Sequence, residues 1–526
     1  MQSRKVIRGD EMRQKLKKGA DLVADTTKIT LGPKGRTVIL AREFMSPKIT
    51  KDGVSVNKEL FLEDPVEQLG AQIIREASMR SNDLSGDGTT TVCVLAQSIL
   101  AEGMKLISAG ASPIQLKEEL DNAAKLVINK LKDTVVAVND ANLEDIASIS
   151  ANNKEIGLLV ATVYKEIGLD GIVTVEEGSQ FGLTTEIVSG LRFDKGYISP
   201  YFITDREKLL AEYKDVPVLV TDEKLTTSKL LFNIIDKVIR SGKKELIIIA
   251  DDVADECLGT LILNTVNGAF KSVCIKAPGF GDTLRDNLDD IASLCGATVI
   301  SLKESKDLEK MELTELGHAS RVIVTKDNTT IVGGKKDEVR LTERILSLKM
   351  LLDKAVVDIE RQSLNKRIAN LSGGIGVIKV RYATETETME VKDRIEDAIQ
   401  ATKAALEEGV VVGGGISLLR ARQVLEIRPD GGSKILFKAC AEPLKQIAFN
   451  ADVDGNVVAS VVLTNSNVNH GFNALSGVYE DLFKSGVIDP LKVVRLTLEN
   501  AVSAAGTLLT VEAAVYDTPE VKKENN

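Results

Sequence analysis

Five short apolar runs between residues 171 and 300 do most to limit the folds open to this chain. They are Gly171-Ile172-Val173-Thr174-Val175, Val216-Pro217-Val218-Leu219-Val220, Leu246-Ile247-Ile248-Ile249-Ala250, Val273-Cys274-Ile275 and Thr298-Val299-Ile300. Each is too short for a core helix and too continuous for a strand with one wet face, so each reads as a strand buried on both sides. Helical patterns separate several of them, which makes this section an α/β domain of its own. Outside it the pattern is helical, from about 64 to 132 and again after Ser372-Gly373-Gly374, notably over 390–408. Near the N-terminus Thr37-Val38-Ile39-Leu40 and Val54-Ser55-Val56 read as strands, with Lys51-Asp52-Gly53 as the turn between them. A chain of 526 residues exceeds one core, so three or so domains are expected. The polar end, 518–526, reads as frayed.

Composition excludes several classes of function. A net charge of −10, no tryptophan and no lysine or arginine run leave neither a phosphate-backbone footprint nor base-stacking platforms, so nucleic acid is not the expected partner. With only His318 and His470, a histidine-based triad or a His-rich metal site is close to excluded. Cys93, Cys257, Cys274, Cys295 and Cys440 are scattered and lack zinc or redox spacing; they read as reduced, mostly buried thiols in a cytosolic setting. The start lacks the apolar core of a signal peptide, and no uninterrupted run approaches the roughly 20 apolar residues of a membrane span. A soluble, cytoplasmic protein with no membrane partner is expected.

Two helical stretches of the middle section are over-wide in their apolar faces. Leu230, Leu231, Phe232, Ile234, Ile235, Val238 and Ile239 cover more than half a helix circumference, as do Cys257, Leu258, Leu261, Ile262, Leu263 and Val266. Either both helices are sandwiched in a core, or each shows apolar residues to something outside the domain. Pattern alone favours the core.

The loops that could carry chemistry are Thr30-Leu31-Gly32-Pro33-Lys34-Gly35, Thr50-Lys51-Asp52-Gly53, Gly86-Asp87-Gly88-Thr89-Thr90-Thr91 and Gly413-Gly414-Gly415, to which Asp397 is added. The third precedes an apolar helical run, so two glycines and three threonines sit where unpaired helix amides suit phosphate oxygens. Asp87 among those donors would be wasted on an anion alone, and a magnesium ion bridging carboxylate and phosphate would explain it. Each loop also has an ordinary explanation. Gly-Asp-Gly-Thr is a common loop and N-cap, Asp52-Gly53 a hairpin turn, Gly32-Pro33 a helix end, and Asp397 with Asp393 a solvated helix face. No Walker-type loop, nucleophile elbow or His-Glu-x-x-His is present.

Taken together and in order, these loops resemble the group I chaperonins of the bacterial GroEL type. The stretch Ala404-Ala405-Leu406-Glu407-Glu408-Gly409-Val410-Val411-Val412-Gly413-Gly414-Gly415 matches that family's signature. Phe193-Asp194-Lys195-Gly196-Tyr197-Ile198-Ser199-Pro200-Tyr201-Phe202 and Lys276-Ala277-Pro278-Gly279-Phe280-Gly281-Asp282 resemble it equally well. The resemblance covers nearly the whole chain. It implies a multi-domain α and α/β fold: a mostly helical equatorial ATP-binding domain over 1–133 and 408–526, a small α/β intermediate hinge domain over 134–188 and 376–407, and an α/β apical domain over 189–375. It also implies two stacked seven-membered rings of identical subunits, unfolded proteins as clients and a GroES-like co-chaperonin.

Residue by residue, the resemblance implies an ATPase site. Leu31, Gly32 and Pro33 would line phosphates and base, Gly88, Thr89, Thr90 and Thr91 would bind phosphate oxygens, and Asp87 would ligate Mg2+. Thr30, Lys51 and Thr90 mark where the family holds K+. Gly414, Asn473, Ala474, Val487 and Asp489 match the adenine and ribose positions, with Ile149 and Ser150 nearby. Asp397 would orient and polarise the attacking water, supported by Asp52; an aspartate of ordinary pKa, about 3.9, is a weak base. Tyr197, Tyr201, Phe202, Phe232, Ile235, Leu258, Ile262 and Leu263 would bind client or co-chaperonin, leaving Leu230, Ile234 and Val238 to the core. The family's Gly-Gly-Met tail is missing, and Phe232, Asn233 and Leu475 depart from its usual pattern. A small-molecule kinase and a passive scaffold ring remain the competing readings; the first would need polar acceptor groups in the middle domain, and the second conflicts with intact Asp52, Asp87 and Asp397.

Overall fold

The computed structural model describes residues 4–41, 47–168, 171–178, 180–206, 208–301, 308–334, 338–354, 361, 364, 367–368, 371 and 374–517. Ser372, Gly373 and the polar end at 518–526 lie outside the described residues. The chain divides into two compact units, one of 1–162 with 383–526 and one of 163–382. Both crossings fall within the segments that the resemblance assigns to the intermediate domain.

The first unit is helical. Its core gathers the helices Gly9–Lys28, Pro65–Ser85, Thr89–Ser108, Pro113–Lys132 and Leu491–Thr510, so the two ends of the chain share one interior. Two glycines set its tightest crossing. A Cβ on Gly19 would lie 1.8 Å from the Glu67 carbonyl oxygen, and one on Gly70 would lie 2.0 Å from that of Leu16, so the first and second of these helices touch backbone to backbone. By length and composition Thr89–Ser108 could cross a membrane, but half of it is buried against Leu491–Thr510 and its neighbours. The strand Arg4–Arg8 pairs antiparallel with Ala513–Asp517, Val38–Leu40 with Lys48–Thr50, Val410–Val412 with Ile488–Pro490, and His470–Asn473 with Val478–Asp481.

Val54-Ser55-Val56 corrects the sequence reading. These residues belong to the helix Gly53–Glu59, and the strand that pairs with Val38–Leu40 precedes Asp52 instead of following it. The cause is local: Asp52 accepts hydrogen bonds from the amides of Val54 at 3.0 Å and Ser55 at 2.8 Å, which makes it an N-cap and not a hairpin corner.

The second unit is built on an eight-stranded mixed sheet. Its order is Lys271–Lys276, Glu245–Ala250, Ala211–Val220, Gly317–Val324, Thr329–Gly334, Gly182–Phe193, Gly374–Arg381 and Ile172–Glu177. The first three are mutually parallel, and Ile247, Ile248 and Ile249 are buried on both faces, as continuous apolar runs require. Four of the five expected strands are present. The fifth, Thr298-Val299-Ile300, joins the sheet by a single bridge from Ile300 to Thr221 and forms no strand.

Candidate functional site

The segment Gly86-Asp87-Gly88 is a three-residue link between two buried helices. Gly86 ends Pro65–Ser85 with φ +71°, and Gly88 starts Thr89–Ser108 with φ +86°, both in the left-handed region that favours glycine. No side chain caps the second helix, so its first amides, Thr89 to Thr91, stay available to an anion.

Other loops close in on this end. A Cβ on Gly53 would stand 2.4 Å from Thr90 Oγ1 and 3.0 Å from Thr89 Oγ1, so the turn after Asp52 lies directly against the threonines. Thr30 Oγ1 lies 3.5 Å from Thr90 Oγ1. Thr30, Leu31, Gly32 and Pro33 follow the end of Gly9–Lys28, and Asn450 Nδ2 donates to the carbonyls of Lys28 at 2.9 Å and Leu31 at 2.8 Å to hold that loop. Asn450 was invisible in the sequence, since nothing within its own helix marks it. Lys51 is exposed beside Asp52.

Asp397, on the helix Glu385–Glu408, completes a group of carboxyls. Burial, then the charges of Asp87 and Asp52, raise its pKa well above the carboxylate range. Asp87 is raised by enclosure and by Asp52, although the Gly88 amide donates to it and solvent reaches it. Asp489 is pushed up to about 7 by burial and then by Asp87. Asp397 is therefore a stronger base than an unperturbed aspartate, which corrects the sequence-based assumption of an ordinary pKa. Among the described residues no three acidic, histidine or cysteine side chains form a metal cage. Asp87 beside the uncapped amides of Thr89 to Thr91 is a donor set that would suit magnesium held by one carboxylate and phosphate oxygens.

Of the residues that the resemblance gives to base and ribose, part lie around Asp489. A Cβ on Gly413 would lie 3.0 Å from Asp489 Oδ1, and one on Gly414 would face Leu482 and Val487. The Gly413 amide donates to the Val487 carbonyl at 3.0 Å, and Val411 pairs with Asp489. Ala474 is buried in the same cluster as Leu482 and Val487. The Asn473 side chain turns its own hairpin, accepting from Leu475 and donating to Glu480 at 2.7 Å. Ile149 and Ser150 end the helix Asp140–Ala151, which packs on Ile488 through Ile146. Ile149 is exposed, and the buried Ser150 Oγ has no partner.

In the second unit the helices Lys229–Arg240 and Asp255–Val266 flank a groove of about 230 Å3, lined in part by Phe232, Ile235, Ile239, Leu261 and Asn264. Leu231, Ile234, Val238, Cys257 and Leu261 face the core. Phe232 is 55% and Leu263 64% exposed, while Ile235, Leu258 and Ile262 straddle the core edge. The core reading that pattern favoured is right for one face of each helix and wrong for the other. Tyr197 is half-buried and Tyr201 is 68% exposed, but Phe202 is wholly buried. Phe202 is thus corrected to a core residue: the 3-10 turn Pro200–Phe202 sends Tyr201 outward and Phe202 inward.

Residues 23–519 match the TCP-1/cpn60 chaperonin family. The chain is 45% identical over 516 residues to Chaperonin 60 subunit beta 2, chloroplastic, of Arabidopsis thaliana, covering 96% of this chain and 86% of that one. Its fold is similar to that of the chaperonin gp146 from the bacteriophage EL 2 (Pseudomonas aeruginosa), crystallised in the presence of ATP-BeFx. Two crystal forms of that protein give TM-scores of 0.70 and 0.62 at 21% and 20% identity, each covering 98% of this chain and 99% of that chain. Family agreement over residues 23–519, 45% identity to a chaperonin subunit and a shared architecture converge: the chain belongs to the TCP-1/cpn60 chaperonin family.

Proposed function

We propose that this chaperonin is an ATP-driven folding chamber that captures unfolded proteins on its apolar helix pair. One observation carries the ATPase half: the uncapped start of Thr89–Ser108 meets Asp52, Asp87, Asp397 and Asp489, whose charges act on one another. Carboxyls crowded this way repel one another, and a cation among them would relieve that repulsion and bring phosphate oxygens with it. A bound Mg2+ would neutralise phosphate charge beside Asp87. Thr89, Thr90 and Thr91 would hold phosphate oxygens, with Thr30, Lys51 and Thr90 around a K+. Leu31, Gly32 and Pro33 would line phosphates and base, and Gly414, Asn473, Ala474, Val487 and Asp489 would hold adenine and ribose.

Asp397 would orient the attacking water and take its proton, a role its raised pKa suits. Its helix starts just past the crossing between the two units, so a tilt of that helix would move the base relative to the phosphates. The three-part division into equatorial, intermediate and apical domains belongs to the same proposal. So do the fourteen-subunit double ring, the GroES-like co-chaperonin that would compete for Phe232, Leu258 and Leu263, and a cytoplasmic, reducing location for five buried free cysteines. Asp397→Ala tests the core of it. ATP should still bind, while turnover falls by about 10²-fold, the low end for general base loss. Normal turnover in that variant refutes the assignment.

A further inference from the structure

Beneath the phosphate loop runs a chain of polar side chains in a place where an apolar core would suffice. Thr27, Asn57 and Ser78 are all 0% exposed. Thr27 Oγ1 lies 2.6 Å from Asn57 Oδ1, Asn57 Nδ2 donates to Ser78 Oγ at 2.8 Å, and Ser78 Oγ donates to the Thr89 carbonyl at 3.1 Å. Two more serines continue the line. Ser81 Oγ donates to the Asp87 carbonyl at 3.2 Å, and Ser85 Oγ to the Ser81 carbonyl at 2.9 Å. Ser78, Ser81 and Ser85 fall at i, i+3 and i+7, one face of the helix Pro65–Ser85.

The direction of these bonds matters. A trans peptide is planar, so its carbonyl and the next N–H point opposite ways. Fixing the Thr89 carbonyl from below therefore fixes the Thr90 N–H toward the open end of its helix. Asn57, between Thr27 and Ser78 in this network, sits on the short helix that Asp52 caps. Through Asn57 the network thus grips the helix of a carboxylate proposed to support hydrolysis, and through Ser78 and Ser81 it grips the phosphate-binding turn. Gly53 keeps the same two pieces in direct contact on the cleft side.

We infer that Thr27, Asn57, Ser78 and Ser81 form a positioning network that sets the spacing between Asp52 and the amides of Thr89 to Thr91, an inference that rests on the ATPase reading above. None of the four touches the reacting atoms. Their loss should leave nucleotide binding largely intact and act on the chemical step, where small misplacements cost most.

Ser78→Ala cuts the link in its middle, and Thr27→Val removes its first hydroxyl without changing shape. Each should lower kcat about tenfold at saturating ATP while the dissociation constant for ATP moves less than about threefold. Thr510→Val is the control, because that hydroxyl bonds to the Gly506 and Thr507 carbonyls of its own helix; it should leave kcat unchanged at a similar loss of melting temperature. Unchanged kcat in Ser78→Ala and Thr27→Val, or kcat losses that merely track melting temperature in all three, overturns the inference. Asp52→Ala, assayed beside them, separates the two claims. If it loses turnover while Ser78→Ala does not, the network fails alone; if it too hydrolyses normally, the role given to Asp52 fails with it.

Discussion

Gly53→Ala is a one-methyl probe of how closely Asp52 must approach the threonine turn. The added Cβ would lie 2.4 Å from Thr90 Oγ1, and ordinary contact begins at 3.4 Å, so about 1 Å must be found. Thr90 has little freedom to yield. It is β-branched, in the first turn of a helix, and its hydroxyl already lies near Thr30. Thr89 Oγ1 at 3.0 Å and Thr27 Cγ2 at 3.2 Å close the other exits. The turn carrying Asp52 must therefore back away. A displacement of that size in a reacting group costs about 10²-fold in rate, or about 2.7 kcal/mol. Stability should fall by about 1–3 kcal/mol from overpacking, since alanine gains little over glycine at the first residue of a helix. The assay is phosphate release at saturating ATP, read beside a melting curve. A variant that melts near the parent and hydrolyses ATP within a factor of about two of it would refute the argument that this contact sets catalytic geometry.

The client surface is tested by Phe232→Ser with Leu263→Ser, which removes two exposed apolar side chains without opening the core; capture of a denatured protein should drop several-fold while ATP turnover holds, and undiminished capture would contradict the assignment. Asp489 supplies a pH test. Its pKa of about 7 in the folded chain exceeds the unfolded value of about 3.9, so between those values the fold holds a proton that the unfolded chain has released. Stability of the nucleotide-free protein should then fall as pH rises from about 4 to 7, and Asp489→Asn should flatten that slope; identical pH dependence of melting in both proteins would contradict the placement.

Local chemistry was the legible part of this molecule. The runs around Ile248 and Cys274 could only be doubly buried strands, and the Gly-Asp-Gly-Thr segment announced a helix start, although Gly88 and not a threonine takes the N-cap position there. Misreadings arose where two local patterns coincide. Val54-Ser55-Val56 alternates like a strand, but the hydrogen bonds that decide the matter come from the Asp52 side chain. Tyr201 and Phe202 are alike in composition, and only the 3-10 turn determines which one is buried. Convergence was not legible in any single window. Asp52, Asp87, Asp397 and Asp489 span more than four hundred positions, and their shared field exists because both chain ends fold into one core. The serines at 78, 81 and 85 look like the polar side of an ordinary amphipathic helix until that side proves to be buried.

The most direct measurement of the whole account is release of a bound, chemically unfolded protein when ATP is added. The parent chaperonin should free or refold its client only with ATP and should do so repeatedly, whereas Asp397→Ala should respond to ATP once and stall. Client retention that is indifferent to ATP in the parent would contradict the coupling of the carboxyl site to the apolar helices.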